Sequence, residues 1–199
     1  NHSDINPHLD HLLRLAFQSG ASRAGLIPVE EISAEEDLAN LCRKPQCRNY
    51  GLAANCPPFV SGPSGFRKTL ENMQHAIVIR IDVPSSILFS DQRHDIMRLL
   101  HETGASIERS AVEMGFTLSK AFAGSSCKKI FCHEYDACRV ISDNGKCRNP
   151  QSARPSMSGY GINVSKLMTS ADWPSKTNMQ QDKTGDESMS WVAGLILIG

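Results

Sequence analysis

Seven cysteines, all confined to two polar segments, are the residues of this chain with the clearest capacity for chemistry. The first segment covers residues 42–58 and the second covers residues 127–150. The thiols they carry are Cys42, Cys47, Cys56, Cys127, Cys132, Cys138 and Cys147. A structural thiol normally stands alone on an apolar helix or strand face. These thiols lie among Arg, Lys, Asn, Gly and Pro instead, which favours metal binding.

The two segments share a spacing pattern. Four and then eight residues separate the cysteines of the first segment, and five and then eight separate the last three cysteines of the second. An Arg follows the middle cysteine in both, as Arg48 and Arg139, and a Pro lies within three residues after the last cysteine. The pattern predicts two similar ligand loops, with Cys127 standing outside the repeat.

The spacing also bears on the identity of the metal. Zinc sites usually use cysteines two to four residues apart, and the chain has no CxxC pair. Iron–sulfur clusters accept looser spacings, and ferredoxin-type runs place Pro directly after a cysteine, as at Cys56–Pro57. We therefore expect an iron–sulfur cluster of the 4Fe–4S type and keep Zn²⁺ as the alternative. An odd cysteine count without a secretory signal argues against a disulfide framework.

The number of thiols leaves their division open. Two cubane clusters would need more thiolates than the seven present. In one division, the four cysteines of residues 127–150 hold one cluster, and the three of residues 42–58 hold another whose fourth iron position is open to substrate, water or a side chain. In the other division, four thiolates drawn from both loops hold a single cluster.

Polar residues near the cysteines supply further candidates. Arg148 and Arg154 could bind the cofactor by donating hydrogen bonds to its sulfurs, or could bind a substrate carboxylate or phosphate. Arg154 could equally tie its loop to the rest of the domain through backbone hydrogen bonds. His133, beside Cys132, could ligate zinc, although a surface loop histidine is the simpler interpretation. The turn at 61–66 lacks the Lys of a phosphate-binding loop, and we favour a plain turn.

The elements that must position the two loops follow from hydrophobic periodicity. Ser33 and Glu36 have the spacing of a capping box, which would start a short helix that delivers Cys42 at its end. We expect a single metal-binding domain over 1–199, of the α/β (or α+β) class, with a mixed sheet of about four strands, flanking helices and the two cysteine-rich loops. The predicted helices cover 5–19, 33–42, 65–74 and 90–116, with a short one within 156–168, and the predicted strands cover 23–29, 75–83, 117–124 and 189–198.

Bulk composition excludes several classes of function. Lys plus Arg and Asp plus Glu both number 21, so the basic footprint of a nucleic-acid-binding protein is absent. The longest apolar run, residues 191–199, is far shorter than the roughly 20 residues that span a bilayer. With no secretory signal, we expect a cytoplasmic protein without nucleic-acid or membrane partners. No Ser-His-Asp order, Walker sequence, GxGxxG or HExxH motif appears, so the sequence does not decide whether the protein is an enzyme.

Two motifs together resemble domain of unknown function family 2284, described as predicted metal-binding proteins. The first reads CRxxxCxxYGxxxxCPP, and its matching residues are Cys42, Cys47, Tyr50, Gly51, Cys56, Pro57 and Pro58. The second reads CRxPxxARPSMxxxGI, and its matching residues are Cys147, Arg148, Pro150, Ala153, Arg154, Pro155, Ser156, Met157, Gly161 and Ile162. The resemblance extends from about residue 20 to the end, and it implies metal binding through the cysteines without implying a reaction.

Two hypotheses of function from different classes follow. In the first, the protein carries one or two 4Fe–4S clusters and passes electrons to a redox partner protein, or acts as an oxidoreductase-type iron–sulfur enzyme. In the second, it is a non-redox interaction module whose zinc ion is structural. The oligomeric state is not indicated by the sequence.

Overall fold

A four-stranded sheet lies at the centre of the computed structural model, which describes residues 6–173 and 188–199. The strands are β1 (Arg23–Ile27), β2 (His75–Pro84), β3 (Lys120–Phe122) and β4 (Met189–Ile198), in the order β1-β2-β4-β3. The expected α/β (or α+β) class with four strands is confirmed. The three strand pairings among the described residues are antiparallel, and the expected mixed sheet is therefore wrong in this respect.

Helices flank the sheet and precede or follow both cysteine loops. Their bounds are α1 (Pro7–Gln18), α2 (Glu36–Asn40), α3 (Gly62–Leu70), α4 (Ser85–Leu88), α5 (Arg93–Glu113), α6 (Cys127–Phe131), α7 (Arg139–Ser142) and α8 (Val164–Ser170), with 3₁₀ turns at Val29–Glu31 and Met157–Tyr160. Within the described ranges, none of the helices combines the length and the apolar character that crossing a membrane requires. The sequence also predicts a polar loop over residues 172–187, and these lie outside the described residues from 174 onward.

The sheet is apolar on both faces, which explains why β2 and β4 read as nearly continuous hydrophobic runs. Alternate residues of a strand point to opposite faces. Ile77 and Ile79 of β2 join the layer formed with α1 and α5, while Val78 joins the layer formed with α3 and α8. Full burial of such a side chain stabilises the fold by about 1.5–3 kcal/mol. β2 and β4 pair over ten residues, from His75 opposite Ile198 to Pro84 opposite Met189.

The predicted capping box at the start of α2 is wrong. The Ser33 hydroxyl donates to the Glu35 carboxylate at 2.8 Å, and Glu36 is drawn into an ion pair with Arg67 of α3 at 2.9 Å. The helix therefore begins at Glu36 without a side-chain cap. A tertiary ion pair has replaced the local hydrogen bond that the sequence pattern indicated. The expectation that residues 1–199 form one metal-binding domain stays a prediction.

Candidate metal centre

The two cysteine loops, far apart in sequence, meet in the folded chain. Cys56 of the first loop and Cys127 of the second are both buried and pack together with Ala53. Asn55 strengthens this junction, because its side-chain amide donates to the Cys127 sulfur at 3.6 Å and its carbonyl accepts from the Ser156 N–H at 3.3 Å. The fold thereby brings the thiols of both loops into one region.

The N-terminal half of α5 holds the second loop in place. The Arg98 guanidinium donates to the carbonyl of Ile130 at 2.8 Å and stacks on the Phe131 ring at 4.9 Å. One turn earlier on the same helix, the His94 ring hydrogen-bonds the Lys129 carbonyl at 2.8 Å. Both contacts are with α6, which begins at Cys127, so α5 fixes the position of that thiol.

His101 of α5 joins the two ends of the second loop. Its side chain is fully buried, with Nε2 donating to the Gly124 carbonyl at 3.0 Å and Nδ1 accepting from the Arg154 N–H at 3.1 Å. These partners assign the proton to Nε2. Burial, with a smaller contribution from the Arg154 charge, lowers the pKa of His101 to about 4. The ring is therefore neutral at physiological pH and can keep accepting from Arg154.

Arg154 uses four of its five side-chain N–H donors on other residues of the protein. It forms a bidentate ion pair with Glu108, in which both N···O distances are 2.9 Å, and its Nη1 donates to the carbonyls of Pro150 and Ala153. Its side chain is only 8% exposed. This geometry favours the interpretation that Arg154 ties its loop to the domain. Contact of Arg154 with a cofactor stays a prediction.

Arg148, the other predicted cofactor-binding residue, lies inside the second loop. Its Nη1 donates to the Ala137 carbonyl at 3.1 Å, and its guanidinium stacks on the Tyr135 ring at 4.0 Å. These contacts join the stretch after Cys132 to the stretch after Cys147. Contact of Arg148 with a cofactor stays a prediction.

The three thiols of the first loop line one cleft. Cys42, Cys47 and Cys56 border a cavity of about 240 Å³ together with Ser125 and Ser126, which directly precede Cys127. Burial, with a smaller contribution from the neighbouring thiols, raises the pKa of Cys42 and of Cys56. These thiols would keep their protons at neutral pH unless a bound cation compensated the thiolate charge.

Two of the thiols of the second loop accept hydrogen bonds from Asn149. Its side-chain amide donates to the Cys132 sulfur at 3.1 Å, and its backbone N–H donates to the Cys147 sulfur at 3.4 Å. Burial is the main cause that raises the pKa of Cys127 to about 12, and the thiols of Cys56, Cys147 and Cys138 add to it. Cys127 is therefore electrostatically coupled to both groups of thiols.

A repeated tripeptide makes the same local contact in each loop. The sequence CRN occurs at 47–49 and at 147–149, and in each the Asn N–H donates to the cysteine sulfur two residues earlier, at 3.5 Å and 3.4 Å respectively. The spacing pattern pairs Cys47 with Cys138, whereas the hydrogen bonding makes Cys47 equivalent to Cys147. Sequence analysis missed Asn49, Asn55 and Asn149. The repeated CRN was a signal for Asn49 and Asn149, but nothing local indicated Asn55.

The second family motif serves as scaffold for both loops. Ser156 forms a parallel bridge with Ala123 at the end of β3, and its N–H donates to Asn55 of the first loop. Gly161 has a left-handed backbone with φ of 65°, and a Cβ there would lie 2.1 Å from the Glu35 carbonyl oxygen. Glycine is required at that position because the backbone of Glu35 approaches it directly.

The chemistry of the donor set fits a thiolate-bound group. All seven cysteines are free thiols, and several of their sulfurs accept amide hydrogen bonds of the kind that stabilise thiolate ligands. Across residues 6–173 and 188–199, no group of three or more His, Cys, Asp or Glu side chains has the arrangement to hold a single metal ion.

His133, the histidine that could ligate zinc, is exposed, and its ring packs edge-on against the His94 ring with 5.6 Å between the ring centroids.

Comparison with known proteins gives one match at the level of families. The family described as predicted metal-binding protein (DUF2284) matches residues 25–198, which include both cysteine loops and strands β2 to β4. Neither the curated proteins nor the solved structures give a match. The match covers most of the chain and confirms the resemblance carried by the two motifs. The chain therefore belongs to this family of predicted metal-binding proteins.

Proposed function

We propose that the protein is an iron–sulfur protein, with one or two 4Fe–4S clusters bound by the thiolates of its two loops. The observation that carries the proposal is the contact between the two thiol-bearing segments, with Cys56 against Cys127 at their junction and all seven cysteines free. Soft thiolate donors without accompanying carboxylates suit iron–sulfur chemistry. Such a cluster would supply one-electron transfer, or a reductase activity if one iron were open to substrate.

The chain's own residues would divide the work between the two thiol groups. Asn149 orients Cys132 and Cys147. Its N–H groups donate hydrogen bonds to their sulfurs, which would raise the reduction potential of a bound cluster. Cys42, Cys47 and Cys56 line the cleft and supply three ligands. This supports the four-plus-three division, in which the first-loop group keeps an open position.

The exposure of Cys47 supports exchange of electrons with a redox partner protein. Cys47 is the exposed member of the seven, so a cluster bound there would lie close to the protein surface. A partner could then approach the cluster without rearrangement of the fold. A cytoplasmic location, where thiols stay reduced, is part of the same proposal.

A structural zinc site is the alternative function, and the second loop supplies the observation that favours it. The Asn149 contacts to both Cys132 and Cys147 resemble the outer hydrogen bonds that orient ligands in a closed structural site. Zinc there would stabilise the loop for interaction with another protein and would not exchange electrons.

Metal analysis of protein purified without oxygen tests the proposal. We expect a brown protein with broad visible absorbance and with iron and acid-labile sulfide in equal amounts. Cys56→Ser and Cys147→Ser should each lower the iron content, and Ser85→Ala, in a buried site of α4 outside both loops, is the control. A colourless protein that retains zinc would contradict the iron–sulfur proposal. Unchanged iron in both cysteine variants would contradict the ligand assignment.

A further inference from the structure

The cleft bordered by the first three thiols is also lined by hydrogen-bond donors. Four serine hydroxyls and one guanidinium share it, and they belong to Arg93, Ser125, Ser126, Ser156 and Ser158. No Asp or Glu is among the described residues that line the cleft. A cavity that combines several donors with one cation and no carboxylate is suited to an anion.

Ser126 is the strongest sign that the cleft is built for a ligand. The residue is 1% exposed, and its hydroxyl oxygen has no nitrogen or oxygen partner among the described residues. Buried hydroxyls are rarely left without an oxygen or nitrogen partner, because desolvation is then uncompensated.

The backbone beside Ser126 supports the same conclusion. Ser125 has φ of 64°, a left-handed conformation that non-glycine residues seldom adopt. This turn places two consecutive serines along the cleft immediately before Cys127. Strain of this kind persists where the surrounding structure holds it, and it occurs frequently at binding sites.

Arg93 supplies the positive charge. It is the first residue of α5, a helix of 21 residues whose N-terminus adds a partial positive charge. None of the ion pairs among the described residues involves Arg93. Its guanidinium is therefore available for the two oxygens of a carboxylate or of a tetrahedral oxyanion.

We propose that this cleft binds a small oxyanion, as the anionic group of a substrate, beside the thiols of Cys42, Cys47 and Cys56. Arg93 pairs with its charge, and Ser126 and Ser158 donate hydroxyl hydrogen bonds. The volume of about 240 Å³ would be shared with a cluster held by the three thiols, so that only a small ligand fits beside it. The inference deepens the proposed function and rests on it, since it names the substrate class for the open position of the first-loop cluster.

Calorimetric titration of the anaerobically purified, metal-containing protein with phosphate and, separately, with malonate tests the proposal. We expect saturable binding of at least one probe, and the better probe identifies the tetrahedral oxyanion or the carboxylate as the preferred group. Arg93→Ala should weaken binding at least tenfold with iron and sulfide unchanged, and Arg93→Lys should weaken it less. Ser126→Ala should also weaken binding. Arg14→Ala, on the exposed face of α1, removes the same charge elsewhere and should leave binding unchanged.

Three results would overturn the anion site. The first is that protein with full metal content binds neither probe. The second is that the Arg93→Ala variant binds the probe with the same affinity as the unaltered protein. The third is that Arg93→Ala loses metal, which would assign Arg93 to the thiolates instead. Failure of the proposed function gives a different result, which is the absence of iron and sulfide in the metal analysis of the purified protein. Failure of the anion site alone leaves iron and sulfide at full content.

Discussion

The backbone N–H of Arg154 donates to Nδ1 of the buried His101 at 3.1 Å, and this hydrogen bond anchors the far end of the second cysteine loop to α5. The other ring nitrogen of His101 binds the Gly124 carbonyl, ahead of Cys127. One neutral imidazole thus holds both ends of a loop that carries four thiols. The stability of the fold and the geometry of the candidate metal centre therefore depend on the same side chain.

Replacement of His101 by Ala should destabilise the protein strongly. The change leaves the Gly124 carbonyl and the Arg154 N–H buried without partners and opens a cavity, so we expect a loss of about 2–5 kcal/mol. Urea unfolding followed by circular dichroism measures the change. His11→Ala, at an exposed position of α1, should alter stability by less than about 0.5 kcal/mol. Equal stability of the two variants would show that His101 does not anchor the loop.

The depressed pKa of His101 predicts an acid-dependent loss of stability. Its pKa is about 4 in the folded protein and 6.5 for an unperturbed histidine, so the unfolded chain binds more protons between these values. Stability should be full above pH 6.5 and should fall as the pH drops towards 4, by about 3 kcal/mol in all. His101→Gln should flatten this part of the stability curve. An unchanged curve in that variant would assign the acid sensitivity to other groups.

Glu35 should affect stability in a separate and more acidic range. Hydrogen bonds from Asn163, Lys166 and Ser33 lower the pKa of Glu35 to about 2, against 4.5 for an unperturbed glutamate. The contribution of Glu35 to stability is full above pH 4.5 and is lost as the pH falls to 2. The contribution of His101 changes at higher pH, between 6.5 and about 4. Glu35→Gln should remove only this acidic part of the curve in unfolding experiments. Loss of the His101 part in the same variant would contradict the separation.

Arg154→Lys distinguishes a loop-tying residue from a cofactor-binding one. Lys keeps the charge but cannot form the bidentate pair with Glu108, so we expect the variant to be less stable by about 1–3 kcal/mol. Iron per folded molecule should be unchanged. If iron falls while the unfolding midpoint stays constant, Arg154 acts on the cofactor, which is the other role that the sequence allows.

Asn149→Ala should weaken metal retention in the second loop. The substitution removes the amide that donates to the Cys132 sulfur, and outer hydrogen bonds of this kind typically contribute about 10- to 100-fold in metal affinity. Competition with a chelator under anaerobic conditions measures the loss. Asn72→Ala is the matched control, because Asn72 follows α3 and its side chain binds only the Lys68 carbonyl in the described structure. Equal metal loss from the two variants would remove Asn149 from the site.

The long elements of the fold could be predicted because each carries its own signal. β2 and β4 read as apolar runs because both faces of the sheet are covered, and the apolar stripe of α5 is visible over several turns. The class of the candidate site was also predictable, since thiols clustered in polar loops favour metal binding. These features depend on residue type and local spacing, which the sequence states directly.

The failures lie where a tertiary contact overrides a local preference. Glu36 pairs with Arg67 instead of capping its own helix. The predicted strand at 117–124 is reduced to Lys120–Phe122, and the predicted cysteine-rich loop at 127–150 contains two short helices, α6 and α7. α6 forms because Arg98 and His94 of α5 bind its carbonyls, and no pattern within residues 125–155 reports those partners.

The candidate site itself was predicted as a set of thiols but not as an arrangement. His101 is a polar residue, and yet it is fully buried on the same face of α5 as Met97 and Gly104. The pairing of Arg154 with Glu108 joins residues 46 positions apart, and Asn55 reaches Cys127 across 72 positions. Long-range pairs of this kind depend on how the loops fold back on the sheet, which the spacing of cysteines does not encode.

Helix α5 gives the two thiol groups a mechanical link. Arg93 borders the cleft of the first group, and Arg98, about 7 Å further along the helix axis, holds the carbonyl of Ile130 in α6. A rigid rod that touches both places cannot shift at one without moving the other. A displacement of the α5 backbone at its first turn would therefore also move the contact that holds α6, the helix that begins at Cys127.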